Sequence, residues 1–150
     1  MKAIRIAGLP KRVRRAVGGG MNANESRFNL MLLGGRGRYE PFGITVTRVA
    51  KRRYTPDFAA VVCGVTVVAE VKGDYRLHSE DRARLAWEIA AEANDDPGCV
   101  FVWARWRKAG RLYRCEFWPR RCREPYEADC RTTDEFDDAV RAANIWGCLR

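Results

Sequence analysis

At 150 residues, 47% of them apolar and 31% charged, the chain is long enough for one domain with its own core and too apolar for bulk disorder. Its net charge of +9, from 28 basic and 19 acidic residues, favours a polyanionic partner such as nucleic acid. No apolar run approaches the roughly 18 residues that cross a bilayer, and the opening MKAIRIAGLPKRVRR lacks the apolar core of a secretory signal. The expectation is a cytoplasmic protein with no membrane partner.

In chain order, Lys11 to Arg15 and the triple glycine at 18–20 read as a basic, flexible arm over 1–20, ahead of a domain over 21–150. Asn24 is placed to cap a helix starting at Glu25, with Phe28, Met31 and Leu32 on one face and Gly34-Gly35 ending it. Residues 44–49 alternate like a strand, and a charged turn follows at Lys51, Arg52 and Arg53. The apolar runs 58–62 and 65–71, parted by Cys63-Gly64, read as a hairpin. Ser79 is the expected cap of a helix to about Asn94, with Leu85, Ile89 and Ala93 at helical spacing. A turn at 95–98 leads to two strands, 99–106 and 111–118. Thr133 is the expected cap of a last helix that turns Phe136, Val140 and Ala143 inward. The pattern predicts an α/β domain with a central mixed β-sheet flanked by helices. The six cysteines form no CxxC pair, and the sole histidine, His78, is far from any two of them. They read as buried or free thiols rather than a zinc site.

Acids and bases are unevenly spread. Residues 1–53 carry thirteen Lys/Arg and two acids, Glu25 and Glu40. Residues 54–98 reverse this, with four basic and nine acidic residues. The hairpin lies in that second stretch. If it turns on Cys63 and Gly64, Asp57 falls opposite Glu70, and Lys72 projects on the same side as Glu70. Opposed carboxylates repel across a ladder. Lys72 alone would offset the repulsion as an ion-paired cluster. A divalent cation would offset it better, since hard cations take one or two carboxylates and fill the remainder with water and phosphate oxygens. The Val71 carbonyl is a further oxygen ligand, and a lysine beside the metal would orient an attacking water. The chemistry implied is metal-assisted phosphodiester hydrolysis.

Pro56-Asp57 followed by Glu70-Val71-Lys72 resembles the PD-(D/E)XK nuclease motif. With their flanks, Tyr54-Thr55-Pro56-Asp57-Phe58 and Glu70-Val71-Lys72-Gly73 look most like phage endonuclease I-type Holliday junction resolvases. They are also similar to the endonuclease subunit that cuts transposon ends. The resemblance covers about residues 22–105. It implies a restriction-endonuclease-like core in which Asp57 and Glu70 bind Mg²⁺ or Mn²⁺, helped by the Val71 carbonyl, while Lys72 positions the nucleophilic water. It adds Glu25 from the first helix and Glu40 before the Pro-Asp strand as further acids. It implies a phage-encoded homodimer acting on branched DNA. Gly34-Gly35 closes the first helix sooner than in that family.

Several cations are placed to meet DNA phosphates. Arg12, Arg14 and Arg15 lie in the arm, and Lys51, Arg52 and Arg53 precede the motif. Arg107, Lys108 and Arg111 fall in the turn between the last two strands. Residues 101–123 interleave eight Lys/Arg with six aromatic residues. That alternation suits either base stacking or a hairpin with its aromatic side in the core. Three functions stay open: a resolvase of branched DNA, an endonuclease recruited by a partner to a DNA end or nick, and a non-catalytic nucleic-acid-binding module.

Overall fold

In the computed structural model, which describes residues 20–45 and 53–148, the chain runs α1 (Ala23–Met31), β1 (Arg38–Tyr39), β2 (Ile44–Thr45), β3 (Arg53–Tyr54), β4 (Phe58–Val62), β5 (Val65–Lys72), α2 (Glu80–Glu92), β6 (Cys99–Arg107), β7 (Leu112–Pro119), β8 (Tyr126–Cys130) and α3 (Thr133–Cys148). Arg12, Arg14, Arg15, Lys51 and Arg52 lie outside the described residues, as do the proposed arm and most of the strand expected over 44–49.

Helix α1 starts two residues earlier than expected. Asn22, not Asn24, is its cap: Asn22 Oδ1 accepts from Glu25 N at 2.9 Å, and Glu25 Oε2 accepts from Asn22 N at 2.8 Å. Asn22 has a glutamate three residues on, which closes this reciprocal box, whereas Asn24 would have Arg27. The helix ends at Met31 with Leu32 as its C-cap, ahead of the expected glycine stop; Gly34 and Gly35 follow in the turn, both left-handed with φ of 58° and 78°, as glycine allows.

The β4–β5 register is the expected one. Val62 pairs with Val65 and Phe58 with Ala69, around a two-residue turn. Cys63 and Gly64 both have positive φ, 51° and 77°, the geometry whose twist matches the flanking strands. The remaining strands complete a six-stranded sheet in the order β1-β4-β5-β6-β7-β8. Only the β5–β6 pair is parallel. Parallel neighbours need a crossover, and α2 supplies it. The short strands β2 and β3 pair with each other in a separate two-stranded sheet.

Helices α1 and α3 cover one face of the sheet. Phe28 is fully buried there, with ring centroids 5.9 Å from Phe58, 5.3 Å from Tyr113 and 5.8 Å from Phe136. Burying one such ring contributes about 2–3 kcal/mol. Phe136, Val140 and Ala143 point inward as expected, while the side-chain cap of α3 is Thr132, whose Oγ1 accepts from Glu135 N at 3.2 Å. Helix α2 covers the other face with Trp87, Ala90 and Ala91 and leaves Leu85 exposed. Ser79 precedes it with no side-chain cap bond. Trp87 stacks edge-on to Trp103 and Trp118, so the wide indole, rather than the Leu85–Ile89–Ala93 row, decides which side of α2 turns in. Among the described residues no helix is long and apolar enough to cross a membrane.

A non-glycine residue in the left-handed region is strained by roughly 1–2 kcal/mol, and asparagine tolerates it better. Cys63→Asn, at an exposed turn position, is expected to raise the unfolding free energy by about 0.5 kcal/mol. Urea denaturation monitored by circular dichroism checks this; an unchanged or lower midpoint would mean the turn carries no strain.

Candidate active site

The β4–β5 ladder stops at Phe58 and Ala69. One step further out stand Asp57 and Glu70, opposed as the turn geometry requires. Beyond the ladder, the β5 backbone would have an unpaired donor at Val71. Asp57 supplies its partner: Oδ2 accepts from Val71 N at 2.7 Å. The N–H and carbonyl of one strand residue face the same edge, so the Val71 carbonyl lies on that open edge too.

Glu70 is buried and held from two sides. Tyr54 donates its hydroxyl to Oε2 at 2.8 Å, and Lys72 donates Nζ to Oε1 at 2.7 Å. The Lys72 ammonium also sits 5.4 Å from the centroid of the Trp103 ring. Burial pushes Asp57 up from 3.8 to about 7, and the Glu70 charge adds to this, against the Val71 N–H and Lys72, which favour the ionised form. Burial, followed by the Glu70 charge and hydrogen bond, holds the Tyr54 phenol well above its ordinary value, so Tyr54 remains a donor to Glu70.

A cleft of about 1060 Å³ opens at this end of the sheet, between the first turns of α1 and α2. Asp57, Val71, Lys72 and Glu25 all line it. Glu25 is buried and closes the helix cap, with Oε1 also accepting from Asn22 Nδ2 at 2.8 Å. Its charge still reaches Asp57. Glu40 enters differently. It is exposed and left-handed, with φ of 43°, and its backbone N–H bonds Asp57 O at 2.8 Å, but it is not among the residues lining the cleft.

Lys108 and Arg111 lie on the cleft, both exposed. Arg107 faces a neighbouring cleft of about 390 Å³ with Arg105 and Glu116. Arg53 is exposed on β3 and packs beside Gly43, away from both clefts. The rings of the β6–β7 hairpin are core on both faces of the sheet: Tyr113 and Phe117 are buried under α1 and α3, Phe101 and Trp103 under α2. The stacking alternative for these rings is therefore set aside. Arg84 is clamped to Glu88 and Glu116, each at 2.7 Å, over the Trp87 and Trp103 rings, and so is not free for a phosphate. His78 is exposed.

Among the described residues no three His, Cys, Asp or Glu side chains are grouped to hold a metal ion. The four acids therefore do not form one preassembled cage. What converges is a pair of carboxylates and a carbonyl edge. Asp57 Oδ1 accepts no hydrogen bond from the described residues. That donor set fits a hard divalent cation, which keeps several waters and needs one or two carboxylates.

Sequence reasoning left Tyr54 without a role and missed two others. Tyr39 lies beside Glu25, and burial together with the neighbouring Glu25 carboxylate raises its phenol. Trp106 lines the cleft under the Arg27 guanidinium at 4.3 Å. Tyr54 was legible only as a motif flank, because its partner Glu70 is sixteen residues away.

The folded chain holds the Asp57 proton more tightly than the unfolded chain does. Without divalent metal, stability is therefore expected to fall as pH rises from about 4 to 7, by up to about 1.4 kcal/mol per unit from this group. Asp57→Asn should flatten that slope in urea denaturations run across the range, and equal slopes would refute the assignment. At pH 8, Mn²⁺ should raise the melting temperature of the wild type and not that of Asp57→Asn. Tyr54→Phe leaves Glu70 Oε2 without its buried donor and should cost about 1–3 kcal/mol, read from the same denaturations; a neutral change would show that the bond is dispensable. Comparison with protein-family models, with curated proteins and with solved structures finds no match to this chain.

Proposed function

We propose that this protein is a divalent-cation-dependent endonuclease that hydrolyses phosphodiester bonds in branched DNA. The observation that carries this reading is the convergence of Asp57, Glu70 and Lys72 beside a cleft whose exposed ionised lining residues, Lys108 and Arg111, are both cationic. The acids of the lining, Glu25, Asp57, Asp74 and Glu80, are buried or half-buried. A polyanion thus meets positive charge first.

Asp57 and Glu70 would hold Mg²⁺ or Mn²⁺ with the Val71 carbonyl. When bound, the cation lowers the pKa of a water and offsets charge building on the phosphate. The remaining work belongs to the chain. Tyr54 and Lys72 fix the two oxygens of Glu70, so the carboxylate is oriented before substrate arrives. Lys72, lining the cleft, donates to the attacking water or to a phosphate oxygen and sets the line of attack. Glu25 adds negative charge to the same wall. Lys108 and Arg111 hold the flanking phosphates. Two copies related by a two-fold axis would make paired incisions across a junction.

The test is cleavage of a labelled four-way junction and a matched linear duplex, in Mg²⁺ and in EDTA. The junction is expected to be cut in Mg²⁺ alone, with Lys72→Ala slower by at least about a hundredfold. Equal cutting of both DNAs would keep the nuclease and remove the branch preference. Binding without cutting, in Mg²⁺ and in Mn²⁺, would favour a binding module or a partner-dependent enzyme.

A further inference from the structure

Three residues beyond Lys72 the chain exposes Tyr75 to 83% and Leu77 to 63%. Both line the cleft that Lys72 lines. Single exposed apolar residues are ordinary, but this pair stands on a segment that is held in place. Arg105 Nη1 bonds Gly73 O at 3.0 Å, and Glu80 N bonds Leu77 O at 3.0 Å. Gly73 is pressed so close to α1 that a Cβ there would lie 2.7 Å from Asn24 Nδ2. Between those anchors the Tyr75 ring stands in solvent, and none of the described residues hydrogen-bonds or stacks on it. The other aromatic of the cleft, Trp106, is already occupied, by Arg27 at 4.3 Å from its centroid and by Tyr113 at 5.0 Å. Tyr75 is the ring with a free face.

We propose that Tyr75, supported by Leu77, stacks on an unstacked base next to the scissile phosphate, and that this contact selects DNA with a branch point or single-stranded segment over continuous duplex. The inference rests on the nuclease reading above and adds the residue that would read the branch. A π-face in water beside cations is the pairing that binds single strands: the cations take phosphates and the ring takes a base, whatever its identity. Three residues reach at most about 11 Å, so the stacked base belongs to the nucleotides next to the phosphate that Lys72 addresses. In continuous duplex both faces of every base are covered, and inserting a side chain requires unstacking a step first. At a branch or in a single strand that requirement is already met.

The test reads binding separately from cutting. A fluorescein-labelled four-way junction and a matched duplex are titrated in Ca²⁺ by anisotropy, with wild type, Tyr75→Ala and Tyr75→Phe. A parallel junction carries 2-aminopurine at the branch. Tyr75→Ala should weaken junction binding about tenfold and leave duplex binding unchanged, while Tyr75→Phe, which keeps the ring, should match wild type. Quenching of 2-aminopurine should follow the ring. Equal junction affinity for wild type and Tyr75→Ala, an equal loss on both DNAs, or no DNA binding by the wild type would each overturn the proposal. A wild type that cuts neither DNA in Mg²⁺ or Mn²⁺ yet shows the Tyr75 difference in binding would count against a self-sufficient nuclease and leave the stacking site standing.

Discussion

Two acidic side chains, Asp57 and Glu70, face each other at the open end of a hairpin, and much of the molecule around them works to keep them there. Their mutual repulsion is not relieved by distance. The two-residue turn at Cys63-Gly64 sets the register, and the register sets the opposition. What relieves it is local: a backbone donor for Asp57, a phenol and an ammonium for Glu70. Burial, and after it the Glu70 charge that one ammonium only partly offsets, pushes Asp57 above the usual carboxylate range. A site in that condition is relieved by added positive charge, whether a proton or a cation.

The same carboxylate that would bind metal also ends a strand. Asp57 takes over the hydrogen bond that a backbone carbonyl of a longer β4 would have accepted from Val71. Glu25 is double in the same way, since it closes the α1 cap and lies on the cleft wall. Residues with a structural and a chemical duty are hard to replace, because each substitution removes both.

The hairpin register, the placement of Asp57, Glu70 and Lys72 and the inward row of α3 were legible in the sequence because the first two depend on one short turn and the last on helical spacing alone. The rest depended on distant partners. The cap of α1 went to Asn22 because a glutamate three residues on outweighs mere proximity to the apolar face. The inward face of α2 was set by Trp87 meeting Trp103 and Trp118 across the sheet. The interleaved rings of 101–123 went to both faces of the sheet, Phe101 and Trp103 under α2 and Tyr113 and Phe117 under α1 and α3, because helices cover the hairpin on either side. The edge strand β8, half-buried with alternating exposure, has too few apolar residues to announce itself.

The hydrogen bond from the Tyr113 hydroxyl to the carbonyl of Asn24 spans 89 residues. It ties the first turn of α1 to a strand in the last third of the chain, far from the motif hairpin. Phe28, packed on Tyr113 and Phe136, repeats that long-range tie in apolar form. The wall of the cleft is thus completed by sequence far from the motif. Such contacts close long loops and raise the contact order, so folding is slowed at the steps that build the site. On a ribosome, Asp57, Glu70 and Lys72 would emerge and pair well before Tyr113 reaches Asn24, and the nascent chain would carry its paired acids for some time without the wall that faces them.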